Sequence, residues 1–236
     1  MIKQGEVHTW MFDLDTQDQT NRNWEKILSA EETNRSKRYF SEKDRQRFTA
    51  RRGLLRQLLS RYTNIQAAEI AYATNPYGKL SLPANPLKFN LSICQDRVIY
   101  AFALEMEVGV DLEQVRILDE YEHMVGHWFS PDEQASLGCL APELQVEAFY
   151  HVWTQKEAFI KAQGKGLSLP LKDFSVSVDP DLPGGLLSIR GGAGDVSEWK
   201  IYTHMPTAGW RAAVCARAQA KVEIHWNMNE LAGFVV

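Results

Sequence analysis

The clearest periodic pattern in the chain is helical and spans residues 143–163. Apolar residues return there every three or four positions, which predicts one long helix. Trp153, Glu157 and Lys161 are spaced four apart and therefore share one face of that helix. Taken alone, this face fits an exposed Glu157–Lys161 pair beside a half-buried tryptophan as well as it fits a functional site.

A strictly alternating stretch, VGVDLE at residues 108–113, predicts a half-buried β-strand. Its apolar residues share one face, and Gly109, Asp111 and Glu113 share the other. Two carboxylates on one face repel each other unless a cation lies between them. Both a solvated face and a site for a hard divalent cation are therefore compatible with the pattern. Gly109 leaves room for another group to approach the backbone.

Shorter patterns complete the predicted fold. Helix starts are indicated at residues 29–32, 41–44 and 130–133, where a serine is followed three positions later by an acidic residue. Strands are predicted at residues 7–14, 69–74, 87–93, 98–104, 108–113, 174–178, 186–190, 199–204, 210–216 and 222–226. We expect each half of the chain to consist of helices followed by an antiparallel meander, which is an α+β arrangement.

Composition excludes several classes of protein. The 236 residues are 24% charged and 44% hydrophobic with a net charge of −4, as in ordinary globular proteins. No apolar run approaches the roughly 20 residues of a membrane span, and the first residues lack the apolar core of a signal peptide. Cys94, Cys139 and Cys215 are scattered, which indicates a reducing compartment. We therefore expect a cytoplasmic protein without nucleic-acid or membrane partners.

One region departs from the acidic average. Between Arg35 and Arg61 there are ten lysines or arginines against only Glu42 and Asp44. A solvated helix face explains such an excess, and so does an anion site for a ligand with several phosphates. A nucleic-acid surface is disfavoured, because no exposed aromatic residues interleave with the charges and no binding motif is recognisable.

The six histidines show no convincing spacing for metal ligands. His123 and His127 are four apart, which would suit zinc on a helix, but no cysteine lies nearby. We favour a partly exposed helix for this segment.

Five ordered blocks of the sequence resemble those of the Sfp-type 4′-phosphopantetheinyl transferases. The central pair is VGVDLE at residues 108–113 and W-x-x-K-E-A-x-x-K at residues 153–161. The others are NPYGK at 75–79, FNLS at 89–92 and KGLSLPL at 165–171, so the resemblance covers roughly residues 31–178. One position departs from the family pattern, because Ile93 stands where the family usually has a histidine that helps to hold the 3′-phosphate of the nucleotide.

The resemblance implies an architecture. Two similar subdomains would be related by a pseudo-twofold axis, each an antiparallel sheet packed against helices, with the active site in the cleft between them. We place the N-terminal subdomain at residues 1–106, for contacts with the nucleotide and phosphates of coenzyme A. The C-terminal subdomain, at residues 107–236, would hold the metal site and the catalytic helix. We expect a monomer.

The resemblance also implies a reaction. The 4′-phosphopantetheine group of coenzyme A would pass to a serine of an apo acyl or peptidyl carrier protein, leaving adenosine 3′,5′-bisphosphate. Fatty acid, polyketide and nonribosomal peptide synthesis all use such carriers. The alternative is a module that binds coenzyme A or a carrier protein with reduced or lost transferase activity.

Site residues follow from the matched positions. Mg²⁺, or Mn²⁺ in its place, would be held by Asp111, Glu113 and Glu157, whose ligands are all oxygen. Glu157 would, instead of holding the metal or besides it, take the proton of the serine directly or through a metal-bound water, and the sequence does not divide these roles. Lys161 and the flanking Lys156 would be the other catalytic residues. The residues expected to contact coenzyme A are Arg35, Lys79, Ser92 and Lys161.

Residues 114–129 follow the metal strand and mix apolar residues with acids. In the family, this region helps to receive the helix of the carrier protein. An apolar groove for an amphipathic helix and a simple contribution to the core are both open interpretations of Val115, Ile117, Leu118, Met124 and Val125.

Overall fold

The computed structural model describes residues 2–16, 23–190 and 194–228. Its strands are β1 (Glu6–Asp13), β2 (Ala73–Thr74), β3 (Leu80–Ser81), β4 (Leu87–Cys94), β5 (Arg97–Leu104), β6 (Val108–Gln114), β7 (Phe174–Val176), β8 (Leu186–Ile189), β9 (Trp199–His204), β10 (Trp210–Arg217) and β11 (Glu223–Met228). Its α-helices are α1 (Ala30–Ser36), α2 (Glu42–Thr63), α3 (Tyr121–Trp128), α4 (Pro131–Gly138) and α5 (Pro142–Gln163).

Helix starts agree with the capping patterns of the sequence. Ser29 and Glu32 form a reciprocal capping box at α1, as do Ser130 and Glu133 at α4. The long helix predicted at residues 143–163 is confirmed as α5, which ends at Gly164 in a left-handed conformation with φ of 67°. No helix among the described residues combines the length and the apolar character needed to cross a membrane.

Two sheets dominate the described residues. The larger has the strand order β11-β1-β5-β4, and the smaller has the order β6-β10-β9. All pairs in them are antiparallel except β1 with β11, which run parallel. Two further ladders, β2–β3 and β7–β8, have two strands each. Helices packed against small, mainly antiparallel sheets confirm the α+β class.

The fold is layered. One apolar cluster lies between α2 and the larger sheet and includes Leu55, Leu58 and Phe102. A second lies between the two sheets, where Val108 and Val110 of β6 meet residues of β1 and β5. A third surrounds α5 on the other side of the smaller sheet. The order of layers is therefore helix, sheet, sheet, helix; the pseudo-twofold relation and the boundary at residue 106 stay predictions.

Strand β11 lies elsewhere than the sequence suggested. We expected residues 222–226 to join a meander of the C-terminal half, but β11 pairs with β1 in the larger sheet, with His8 opposite His225. Local periodicity predicts that a segment is a strand and leaves its partner undetermined, because pairing is a long-range choice.

The strand predicted at residues 69–74 is mostly absent. Only Ala73–Thr74 is extended in a ladder, and a 3₁₀ turn precedes it at Ala67–Glu69. The guanidinium of Arg56 donates hydrogen bonds to the carbonyls of Ala67 and Ile70. Those carbonyls are satisfied by a side chain, so they do not need a neighbouring strand.

Gly109 brings α5 onto the smaller sheet. A Cβ at this position would lie 2.1 Å from the carbonyl oxygen of Ala158 and 2.3 Å from the backbone nitrogen of Ala162. The helix backbone therefore rests directly on β6, which confirms that Gly109 makes room for a close approach. As a result, the acidic face of β6 lies next to the Glu157–Lys161 face of the helix.

Candidate active site

Asp111 is the centre of a polar cluster built from three elements. Its side chain is buried, and its Oδ1 atom accepts hydrogen bonds from Lys161 Nζ at 2.6 Å and from Ser92 Oγ at 2.8 Å. Lys161 Nζ also donates to Ser92 Oγ at 2.9 Å. Strand β4, strand β6 and helix α5 thus each contribute one side chain, and the structure brings these three predicted residues together.

The second oxygen of Asp111 has no such partner. Its Oδ2 atom is buried and makes no hydrogen bond within the described parts of the chain. Buried carboxylate oxygens are nearly always paired, because an unpaired one loses its hydration without compensation. Among the atoms of the cluster, this unpaired oxygen is the best candidate to bind a metal ion.

Glu113 and Glu157 lie in the electrostatic field of Asp111. Burial, followed by repulsion from the Asp111 carboxylate, raises the pKa of Glu113 to about 7. The same two causes, in the same order, raise the pKa of Glu157, and the Lys161 ammonium opposes both shifts. The single positive charge of Lys161 does not neutralise three carboxylates, so a bound cation would reduce the repulsion among them.

The donor set fits Mg²⁺. Asp111, Glu113 and Glu157 offer only oxygen ligands, which hard divalent cations prefer. Their oxygens do not all lie within 4.8 Å of one another, so a bound ion would draw the carboxylates closer together.

Lys156 is not brought to this cluster. It is fully buried, with Nζ 2.8 Å from Glu133 Oε2. The same atom donates to the carbonyl oxygens of Leu171 at 2.7 Å and Phe174 at 2.8 Å. Adjacent residues of a helix point about 100° apart, which separates Lys156 from Glu157. Lys156 ties α5 to α4 and to the chain around residues 171–174.

Lys79 belongs to a turn that is fastened to the end of α5. Its Nζ atom donates to Glu107 Oε2 at 2.9 Å, to the Ala162 carbonyl at 2.8 Å and to the Val108 carbonyl at 3.2 Å. Asn75 Nδ2 donates to the Gly164 carbonyl at 2.7 Å. Burial lowers the pKa of Lys79, and the Glu107 carboxylate opposes that effect. The turn NPYGK is therefore held against both β6 and α5.

A cavity of about 390 Å³ runs along β4 and gathers two of the residues expected to contact coenzyme A. Arg35 and Lys79 both line it, together with Arg52, Phe89 and Asn90. The guanidinium carbons of Arg35 and Arg52 each lie 5.7 Å from the centre of the Phe48 ring. This end of the cavity therefore carries positive charge. Ser92 and Lys161 lie instead at Asp111.

Not all of the basic region faces this cavity. Arg56 is buried against Glu32, with a distance of 2.6 Å between Nε and Oε2. Arg47 donates to Asp15 at 2.7 Å, which contributes to a lowered pKa of about 2 for that carboxyl. Some of the basic residues between Arg35 and Arg61 thus form ion pairs within the chain, and others line the cavity.

Two residues that the sequence reasoning did not single out take part in the site. Asn90 Oδ1 accepts a hydrogen bond from the backbone nitrogen of Val110 at 3.0 Å and joins β4 to β6. Arg52 adds a guanidinium to the cavity wall. Asn90 lies two positions before Ser92, so the alternation of β4 could have indicated that the two share a face.

Comparisons with known proteins agree on one family. A sequence model of the 4′-phosphopantetheinyl transferase superfamily matches residues 107–215. The chain is 32% identical over 197 residues to the 4′-phosphopantetheinyl transferase Sfp of Bacillus subtilis, covering 83% of this chain and 85% of that protein. It is 31% identical over 185 residues to the 4′-phosphopantetheinyl transferase HetI of a Nostoc species, covering 77% and 78%.

Solved structures give a weaker similarity. The holo-[acyl-carrier-protein] synthase of Thermotoga maritima aligns with a TM-score of 0.39 at 18% identity, covering 48% of this chain and 64% of that one. A Chronobacterium ammoniagenes ACPS–CoA complex aligns with a TM-score of 0.36 at 22% identity, covering 49% and 98%. With relatives above 30% identity across more than three quarters of its length, the chain belongs to the 4′-phosphopantetheinyl transferase family.

Proposed function

We propose that the protein transfers 4′-phosphopantetheine from coenzyme A to a serine of an apo acyl or peptidyl carrier protein. Membership of the family makes the chain a phosphopantetheinyl transferase. The observation that supports the detailed reaction is the state of Asp111. One of its oxygens is held by Lys161 and Ser92, and the other is buried and unpaired beside two carboxyl groups of raised pKa.

Asp111, Glu113 and Glu157 would hold Mg²⁺ in this reaction, and Mn²⁺ would serve with the same oxygen ligands. When bound, the ion neutralises negative charge on the diphosphate of coenzyme A. An ion held by these residues would also give the unpaired Oδ2 atom of Asp111 a partner and would reduce the repulsion among the three carboxylates.

Lys161 supplies a fixed positive charge. Its ammonium is held by Asp111 and Ser92, so its position is set before substrate binds. We assign it to the diphosphate oxygens, where charge accumulates as the phosphoryl group is transferred. Ser92 positions that ammonium, and we assign it to contact with coenzyme A as well.

Glu157 is the base in this proposal. Its carboxylate would take the proton of the serine directly or through a water, as carboxylates do in general base catalysis. The oxygen of the carrier serine forms a bond to the phosphorus that bears pantetheine, and its proton passes to Glu157. The bond from that phosphorus to the bridging oxygen breaks, and adenosine 3′,5′-bisphosphate leaves.

The nucleotide end of coenzyme A is assigned to the cavity along β4. Arg35 and Arg52 line it and offer positive charge for phosphate groups, and Lys79, whose ammonium is bonded to Glu107 and two carbonyls, lines it from the NPYGK turn. The three free cysteines fit a reducing compartment, so we place the enzyme in the cytoplasm, and we expect it to act as a monomer.

The test is a transfer assay. The protein is incubated with Mg²⁺, coenzyme A and apo carrier domains from fatty acid, polyketide and peptide synthesis, and the carriers are weighed by mass spectrometry. A gain of one phosphopantetheine on the carrier serine, lost with Glu157→Gln, is the expected result. Binding of coenzyme A without any gain in mass would favour the alternative, a binding module without turnover.

A further inference from the structure

A second group of metal-ligating side chains lies outside the Asp111 cluster. Glu6 and His8 on β1 and His225 on β11 each offer one ligand atom, and these atoms all lie within 4.8 Å of one another. The parallel pairing of the strands places His8 directly opposite His225 and Glu6 opposite Glu223. All four side chains therefore share one face of the larger sheet.

His8 is oriented by a tyrosine. Its Nδ1 atom lies 3.0 Å from the hydroxyl oxygen of Tyr62, which also accepts a hydrogen bond from Trp10 Nε1 at 2.8 Å. The opposite nitrogen, Nε2, lies 3.3 Å from Glu6 Oε2. In the tautomer whose Nδ1 donates to Tyr62, Nε2 presents its lone pair towards Glu6, which is the arrangement that metal-binding histidines commonly have.

His225 has an unsatisfied nitrogen at the same place. Its Nε2 atom is buried and makes no hydrogen bond within the described residues, although a Glu223 carboxylate oxygen lies 3.4 Å away. The rings of His8 and His225 are 4.9 Å apart. An unpaired nitrogen, an oriented imidazole and a carboxylate thus converge.

We propose that Glu6, His8 and His225 form a site for Zn²⁺, with Glu223 or water as the fourth ligand. Two imidazoles and a carboxylate suit zinc and do not suit Mg²⁺, which prefers oxygen. Ligands of a tetrahedral zinc ion stand roughly 3.3 Å apart, so displacements of under about 1 Å in each side chain complete the site.

The site joins the two ends of the described chain. Glu6 and His8 come from the first strand, and His225 comes from the last, so a bound ion ties β11 to β1 across the edge of the larger sheet. Neither strand contributes to the Asp111 cluster. The metal would therefore stabilise the fold without entering the proposed transfer reaction.

Zinc titration of the chelator-treated full chain tests the proposal. Competition with a chromophoric chelator measures stoichiometry and affinity, and thermal unfolding measures stabilisation. We expect one Zn²⁺ per chain and a rise in Tm of about 5–10 °C at a hundredfold excess over Kd. Mg²⁺ should not reproduce the rise at the same concentrations.

His225→Ala is the informative variant, and the double variant His123→Ala/His127→Ala is its matched control. The control removes the other closely placed histidine pair, whose rings are 5.9 Å apart on α3. We expect His225→Ala to lose the zinc-dependent rise in Tm and the control to keep it. Zinc binding that survives in His225→Ala, or that disappears in the control, would overturn the proposal.

Glu6→Gln guards against a folding artefact. It keeps the size of the side chain and both histidines, and should weaken zinc binding at least about tenfold with little change in the zinc-free Tm. Unchanged affinity in this variant would also count against the site. Transfer activity with Mg²⁺ should be preserved in His225→Ala, so failure of the zinc proposal and failure of the proposed function remain distinguishable.

Discussion

The two carboxylate oxygens of Asp111 have different surroundings. In Asp111, the Oδ1 atom accepts hydrogen bonds from Lys161 and Ser92, whereas the buried Oδ2 atom has no hydrogen-bond partner among the described residues. The Oδ1 atom has a positioning role, and the Oδ2 atom is the one that we propose as a metal ligand. A substitution that keeps the shape of Asp111 and removes its charge separates activity from folding.

Asp111→Asn should reduce transfer at least about 100-fold while leaving the folded structure intact. The amide still occupies the same space, but it is a poor ligand for Mg²⁺ and no longer balances the Lys161 ammonium. Steady-state transfer with titrated Mg²⁺ measures the effect, and EDTA should stop the parent enzyme until Mg²⁺ is restored. Asp132→Asn, at an exposed carboxylate, is the control. Full activity of Asp111→Asn, or of the parent in EDTA, would contradict the metal assignment.

Ile93→His should lower the KM for coenzyme A by about three- to tenfold. Ile93 is 38% exposed near the end of β4, directly after Ser92, so a polar side chain is accommodated there. The imidazole would add a hydrogen bond to the 3′-phosphate, charge-assisted below its pKa of about 6.5, so the gain should grow as the pH falls below that value. Dephospho-coenzyme A, which lacks this phosphate, should show no gain; equal gains for both donors would place the nucleotide elsewhere.

At the scale of residues, the sequence predicted those features of the site that follow from strand alternation and from helical spacing. Alternation placed Asp111 and Glu113 on one face, and helical spacing aligned Glu157 with Lys161, so their convergence needed only one contact between β6 and α5. Lys156 was grouped with them by adjacency, but its side chain points into the core. His8 and His225 were invisible to spacing, because only the pairing of β1 with β11 brings them together.

At the scale of elements, the contact between α5 and β6 positions the site. The helix carries Glu157 and Lys161, the strand carries Asp111 and Glu113, and Gly109 sets their separation. Any side chain at position 109 would have to push helix backbone away, since the nearest atoms belong to the backbone of Ala158 and Ala162. The separation of β6 and α5 at the site therefore depends on glycine at position 109, where any Cβ would collide with the helix backbone.

Gly109→Ala should lower Tm by about 6–12 °C and should also reduce transfer activity. Overpacking by one methyl group costs about 3 kcal/mol, and each kcal/mol lowers the Tm of a chain of this size by about 2–4 °C. Thermal unfolding and the transfer assay give the two readouts. Gly126→Ala is a matched control, because nothing lies within 4 Å of a Cβ there and alanine favours the helix. A variant at position 109 with unchanged Tm would show that α5 does not rest on β6 as described.

Lys156→Met should destabilise the protein by about 3–5 kcal/mol and leave the KM for coenzyme A unchanged at a temperature where the variant is folded. Removing the ammonium strands the Glu133 carboxyl in the core and frees two carbonyl groups. Chemical denaturation measures the loss, and adding Glu133→Gln should recover part of it. A fall in kcat without a fall in stability would instead place Lys156 at the substrate.

At the scale of the whole molecule, one apolar residue in the segment after β6 is largely exposed. Ile117 is 87% exposed in the segment after β6, whereas Val115, Leu118, Met124 and Val125 pack against the α5 cluster. The segment therefore divides between the two interpretations of the sequence. Four of its apolar residues add to the core, and the exposed side chain of Ile117 is the candidate for contact with a carrier protein.

Ile117→Asp should raise the KM for the carrier protein by about tenfold and leave the KM for coenzyme A unchanged. A carboxylate in place of an exposed apolar side chain weakens contact with an amphipathic helix and does not disturb the core. Leu187→Asp, at another exposed apolar residue on β8, is the control and should change neither constant. Equal changes in both constants for Ile117→Asp would indicate damage to the fold instead of loss of docking.

The overall class was predictable, and the arrangement of strands was only partly so. Capping sequences and two periodicities fixed most helices and strands, because these are local properties. Two features depended on distant residues. Arg56 satisfies the carbonyls that a strand at residues 69–74 would have offered to a neighbour. The edge of β1 is completed by β11, which comes from the far end of the chain.

The placement of β11 also has a consequence for synthesis on the ribosome. Strands β1, β4 and β5 are synthesised early, but one edge of β1 stays unpaired until residues 223–228, which form β11, have been made. At 5–20 residues per second, that delay after β5 is on the order of 6–25 s. During this interval the nascent chain exposes an unpaired strand edge, which is a template for association between chains. Translation speed past β5 is thus linked to aggregation of the unfinished protein.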